Sequence, residues 1–285
     1  MASPADLAKT GIPSDPKPTA GTKFPTSKLA GYLPLEVRRQ ASQYLAKTDE
    51  TLIRLQRLFL TTANVETVLA PLNYTLYLLC YVQNGLPSRS ASTAIVLNDL
   101  VGSARNTLRL LQLPVLYTLL RTLLSQSSSD RGDLTIWRVN VVQCALYIIY
   151  QLLENVAHLI DLGVLASSSV PIPLYRTQAT LWMHSNRFWF LGISCDLVRL
   201  AREAILARSG VESGKNEKNA TSPEEEEASK KWRNELAASG FTWPLTLHWS
   251  LEHGISHVND GVIGVFGLLA SWEMLRQRWE ETKSG

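Results

Sequence analysis

VLNDLVGSARNTLRLLQLPVLYTLLRTLL, residues 96–124, is the stretch on which the fold turns. At the helical advance of about 100° per residue, Leu97, Leu100, Val101, Ala104, Leu108, Leu111 and Val115 gather on one side. Asn98, Asp99, Gly102, Ser103, Arg105, Asn106, Arg109 and Gln112 fall on the other. Such a helix suits two settings. In a bundle its apolar face turns to the core; on a lipid surface that face enters the acyl region and the arginines meet phosphates. Pro114 interrupts the pattern, because its ring removes an N–H and crowds the preceding turn, so a single helix is not expected to continue beyond Leu113.

Composition leaves two classes open, a large soluble helical protein and a membrane-associated one. Of 285 residues 45% are hydrophobic and only 19% charged, against about 25% charged in an ordinary soluble domain. The net charge of +3 arises in residues 1–66, which carry nine Lys/Arg and six Asp/Glu. A basic amino-terminal part of this kind suits a cytosolic location or an anionic membrane surface. Cys80, Cys144 and Cys195 are far apart, without metal-ligand spacing, so neither a disulfide framework nor a zinc site is signalled. Residues 1–33 are rich in proline and lack a continuous apolar core, which reads as a disordered leader rather than a secretory signal.

Helices account for nearly all the rest. LEVRRQASQYLAKTDETLIRLQRLFL, just after Pro34, puts Leu45, Leu52, Leu55 and Phe59 on one stripe, with Thr48 and Asp49 able to cap a second half. Twenty-two uncharged residues between Glu66 and Arg89 are long enough to cross a hydrocarbon core of about 30 Å, and a buried core helix is equally open. A second uncharged run, Val139 to Leu153, continues into ENVAHLIDLGVL. Glu154, His158 and Asp161 there share a face and, with Arg187, form a polar seam in apolar surroundings. A long helix is expected from Leu174 to Ser209, with RFWFLG at its centre, followed by a charged, mobile linker over 209–235. Within it Ser222 precedes Pro223 and four glutamates, a possible kinase site. The last segment, 236–285, contains GVIGVFGLLASWEMLRQRW at 261–279. Its Gly261, Gly264, Gly267 and Ser271 make a stripe almost without side chains. Each helical glycine costs about 0.5–1 kcal/mol, so this stripe implies a closely packed partner helix, in the same chain or in another copy.

Catalytic patterns are missing from the sequence: there is no GxSxG, GxxxxGK[ST], GxGxxG or HExxH. His253 and His257 have ligand spacing on a helix, but a metal centre needs at least a third ligand, and no metal or cofactor is expected. No nucleic-acid signature is present either. The fold expected is all-α, a membrane-associated bundle of five to seven helices with 34–208 as its main body.

The succession of Ser103-Ala-Arg105-Asn-Thr-Leu-Arg109-Leu, YQLLENVAHLIDLGVL (150–165), RFWFLGISCDLVRLARE (187–203), a charged linker and the small-residue segment ending ASWEMLRQRW resembles the peroxin-11 family of peroxisomal membrane proteins, closest to its fungal peroxin-11C-like branch. The resemblance spans roughly residues 35–280 in element order. It implies a non-enzymatic protein of the peroxisomal membrane, its termini in the cytosol, that elongates the organelle before fission by inserting an amphipathic helix into the cytosolic leaflet. By the same resemblance Arg105 and Arg109 hold lipid phosphates, while Leu100, Val101, Ala104, Leu108 and Leu111 form the wedge. The Gly264, Gly267 and Ser271 face anchors the protein and supports homo-oligomers. Related peroxins and fission factors of the dynamin-related class are the implied partners. Two further readings are a solute pore lined by Glu154, His158, Asp161 and Arg187, and a soluble helical adaptor.

Overall fold

The computed structural model describes residues 35–83, 89–172, 177–212 and 223–283. The leader and Ser222 lie outside the described residues. Among the described residues there are eight helices: α1 (Leu35–Leu58), α2 (Thr62–Gln83), α3 (Arg89–Arg109), α4 (Leu113–Ser125), α5 (Leu134–Asp161), α6 (Gln178–Glu212), α7 (Pro223–Ser250) and α8 (Asp260–Glu281). A short 3-10 turn covers Ser167–Ser169, and there is no strand among the described residues. The all-α expectation is met, with one helix more than the upper expected number.

The chain divides into two units at Ile53. Of the first, residues 35–53 are described, and they are the opening turns of α1. Thr48 does not cap a break there: its hydroxyl donates to the Tyr44 carbonyl at 2.8 Å and α1 runs on unbroken. The second unit, from Arg54, holds everything else. Within it α2 packs on α3 and α8, α8 on α7, α7 on α6, and α6 on α5; α5 meets α4 and, more lightly, α3, which closes a circuit of six helices.

Local chemistry explains the helix ends. Asp133 caps α5 by accepting the Ile136 N–H at 3.0 Å, and Arg202 of α6 pairs with the same carboxylate at 2.9 Å. Asn259 caps α8 in the same way through Val262. Residues 213–222 of the expected 209–235 linker lie outside the described residues; on either side of them α6 extends to Glu212 and α7 starts at Pro223. Proline with its fixed φ suits a first helical position, and carboxylates suit the positive end of the helix dipole, so Glu224 to Glu227 begin a helix rather than prolong a coil. His253 and His257 also depart from expectation. They lie in the non-helical connection between α7 and α8, His257 with φ of 67°, so they share no helix face.

Two contacts hold the circuit together. Where α8 crosses α2, a β-carbon on Gly267 would sit 2.2 Å from the Tyr74 ring, and one on Gly264 would lie 3.1 Å from the Leu78 backbone nitrogen. The small-residue stripe therefore has its partner within the chain, and Ser271 satisfies its hydroxyl on the Gly267 carbonyl of its own helix. Across α5, α6 and α7, Trp189 stacks between Tyr150 and Trp249, with centroids 5.7 and 5.9 Å apart. Such aromatic pairs add about 0.5–1.5 kcal/mol each beyond the area they bury. Among the described residues, α2 and α5 are long and apolar enough to cross a membrane.

Candidate functional site

Helix α3 packs the opposite way round from a helix in a soluble bundle. Its apolar side faces out: Val96 is 65% exposed, Leu100 63% and, just past the helix end, Leu111 61%. Leu97 is exposed as well, while Val101, Ala104 and Leu108 are half-buried. The polar side faces in, with Arg105 buried. As the proline requires, α3 ends at Arg109 and a second helix starts at Leu113, with Pro114 in its first turn. That helix, α4, buries none of its residues, and Val115, Tyr117, Leu119 and Leu124 extend the exposed apolar surface.

An inward polar face needs partners, because an unpaired charge out of water costs several kcal/mol. Those partners come from α2 and α5. Arg105 donates through Nη2 and Nε to Glu66 at 2.8 and 3.1 Å and through Nη1 to Asn73 at 2.8 Å. Arg109 donates through Nη2 to the same Glu66 oxygen at 3.1 Å, and through Nη1 to Glu154 at 2.7 Å and the Tyr150 hydroxyl at 3.1 Å. The Tyr150 hydroxyl and Gln151 amide both donate to Glu154, at 2.8 and 3.1 Å. Two guanidiniums and two carboxylates thus cancel, with their donors largely used. Burial works against the Arg109 charge, but Glu154 and Glu66 outweigh it and hold the group more firmly protonated than a free arginine. The arrangement fixes the rotation of α3.

Arg105 and Arg109, expected at lipid phosphates, are therefore placed on the inside, paired. The polar seam is divided. Glu154 belongs to the cluster, and His158 is 3.1 Å from the Thr107 hydroxyl of α3. Asp161 accepts the Trp182 indole N–H at 3.1 Å, and Arg187 donates to the Ser250 carbonyl at 3.0 Å, away from the other three. Gly261, Gly264 and Gly267 lie against α2 and Ser271 is buried, so within the chain this stripe is packed on α2.

Glu66, Asn73 and Tyr150 were not singled out from the sequence. The available signal was charge balance: two arginines on a face otherwise made of amides and small residues require carboxylates if that face is buried. Glu66, the last charge before twenty-two uncharged residues, was placed to supply one.

An uncharacterized protein of Schizosaccharomyces pombe is 28% identical over 185 residues, covering 65% of this chain and 75% of its own length. No solved structure matches. The family described as peroxisomal biogenesis factor 11 matches residues 52–279, which takes in every helix from α2 to α7 and nearly all of α8. The chain belongs to the peroxisomal biogenesis factor 11 family, and so to the formation of peroxisomes at their membrane.

Proposed function

We propose that this protein remodels the peroxisomal membrane, promoting elongation and fission by laying the outward apolar face of α3 and α4 into the cytosolic leaflet. The observation that carries this is the inverted packing of α3, which leaves Val96, Leu97, Leu100 and Leu111 uncovered while both arginines are fixed inside. A leucine taken from water to hydrocarbon contributes about 1.5–3 kcal/mol, so a few such side chains outweigh the ordering of a helix the bundle already holds. Val101, Ala104 and Leu108, half-buried, form the flank of the wedge. Arg105 and Arg109 act as positioning residues that keep this face turned outward. Further copies of the chain, related peroxins and dynamin-class fission factors are the partners this reading takes in. Gly261, Gly264 and Gly267 are packed on α2, which favours exposed surfaces other than this stripe as the contact with further copies. A solute pore is the lesser reading, because Glu154 is neutralised by Arg109 and His158 is engaged by Thr107.

The test is a full-length Leu100→Glu, Leu111→Glu variant expressed in place of the wild type. Both positions are exposed, so unfolding stability should change by no more than about 0.5 kcal/mol per site. Peroxisomes, imaged by fluorescence, should become fewer and rounder. If they elongate and divide as in wild-type cells while the variant is present at normal abundance, the wedge reading is wrong.

A further inference from the structure

A cleft of about 640 Å³ is lined from five of the six circuit helices, α2, α3, α5, α6 and α7, a size ordinary for a small-molecule site. Its walls carry five aromatic side chains: Tyr74, Tyr77, Trp182, Trp189 and Trp249. These rings are held. Trp189 lies in the stacked column described above, and Trp182 is tethered through its indole N–H to Asp161. One cation already uses this wall, since the Arg105 guanidinium carbon sits 5.4 Å from the Tyr74 ring centroid.

The charge around the cleft is uneven. Arg105 and Arg109 reach it, but each is matched by Glu66 or Glu154. Asp99 and Asp161 also line it, and neither has an arginine or lysine within ion-pair distance among the described residues. An anion would therefore meet carboxylates and guanidiniums already engaged. A cation would meet two carboxylates and the rings of Tyr77, Trp182 and Trp249, since Trp189 is sandwiched within the column and Tyr74 already faces Arg105. A primary ammonium is strongly hydrated and needs several acceptors; a quaternary ammonium has a diffuse charge and an apolar skin, which aromatic rings accommodate. We infer that this cleft binds a quaternary ammonium group, the chemistry shared by the choline headgroup of a lipid and by free choline. This site does not depend on whether α3 enters a leaflet.

Indole fluorescence of the full chain in a maltoside detergent gives the readout. Titration with choline chloride should produce a saturable change that sodium chloride at equal ionic strength and sodium acetate do not. Asp99→Asn, an exposed change outside the paired cluster, should weaken binding at least threefold, and Trp249→Leu at least tenfold, with helicity checked by circular dichroism. Repeating the titration in nanodiscs separates the two sources. If lipid headgroups are the occupant, phosphatidylcholine discs abolish the choline response and phosphatidylglycerol discs preserve it. If free choline is the ligand, both discs preserve it. The inference is overturned if the folded wild type gives no saturable response to choline, if acetate gives an equal one, or if folded Asp99→Asn and Trp249→Leu both bind within twofold of wild type.

Discussion

Arg109 touches three groups through two nitrogens, and losing any one partner leaves charge or hydrogen-bonding capacity uncompensated in a buried place. Glu154→Gln is therefore expected to lower unfolding stability by about 3 kcal/mol, read from denaturant titration of the detergent-solubilised protein. Replacing both members, Arg109→Leu with Glu154→Leu, should cost clearly less than the two single changes added together, since no orphaned charge is left behind. Equal or greater loss in the double variant would show that the pair is not a unit. At this scale the sequence was only partly legible. Helical spacing placed Arg105 and Arg109 on one polar face, and that grouping holds. Which way the face points was decided by Glu66 and Glu154, which are remote in the chain and lie on two different helices.

For the elements, the crossing of α8 over α2 gives the sharpest contrast. Gly267→Ala should destabilise by about 1–3 kcal/mol, because the added carbon meets the root as well as the edge of the Tyr74 ring and the neighbouring backbone cannot yield. Gly240→Ala, in α7 with open space around it, should stabilise by about 0.5–1 kcal/mol through helix propensity alone. Thermal unfolding of the two variants checks the difference in sign. Helices were the most legible part of the chain, because uncharged runs and small-residue stripes carry their own periodicity. The Gly261 to Ser271 stripe announced a close neighbour, while its location waited on the fold. Residues 223–235 were expected in a mobile linker because of their charge density, and they are helical. Four glutamates behind a proline are also what a helix N-terminus accommodates best.

At the largest scale, the second unit is a circuit of six helices that pairs the arginines of α3 internally and leaves apolar side chains outside. Leu72, Leu79 and Val82 of α2 are exposed, as are Val142, Ile149 and Leu152 of α5. A surface of that kind belongs in lipid rather than water. The protein should therefore stay with the membrane pellet after alkaline carbonate washing. Recovery in the supernatant would mean that α2 and α5 are covered by other proteins instead. The paired cluster has one more consequence, for ionic strength. A helix that met a leaflet through free arginines would bind anionic lipid preferentially and lose its grip as salt screened the attraction. With both guanidiniums neutralised inside, the wedge proposed above would meet a bilayer through apolar side chains and no free arginine, so its binding is expected to vary little with salt and not to favour anionic headgroups.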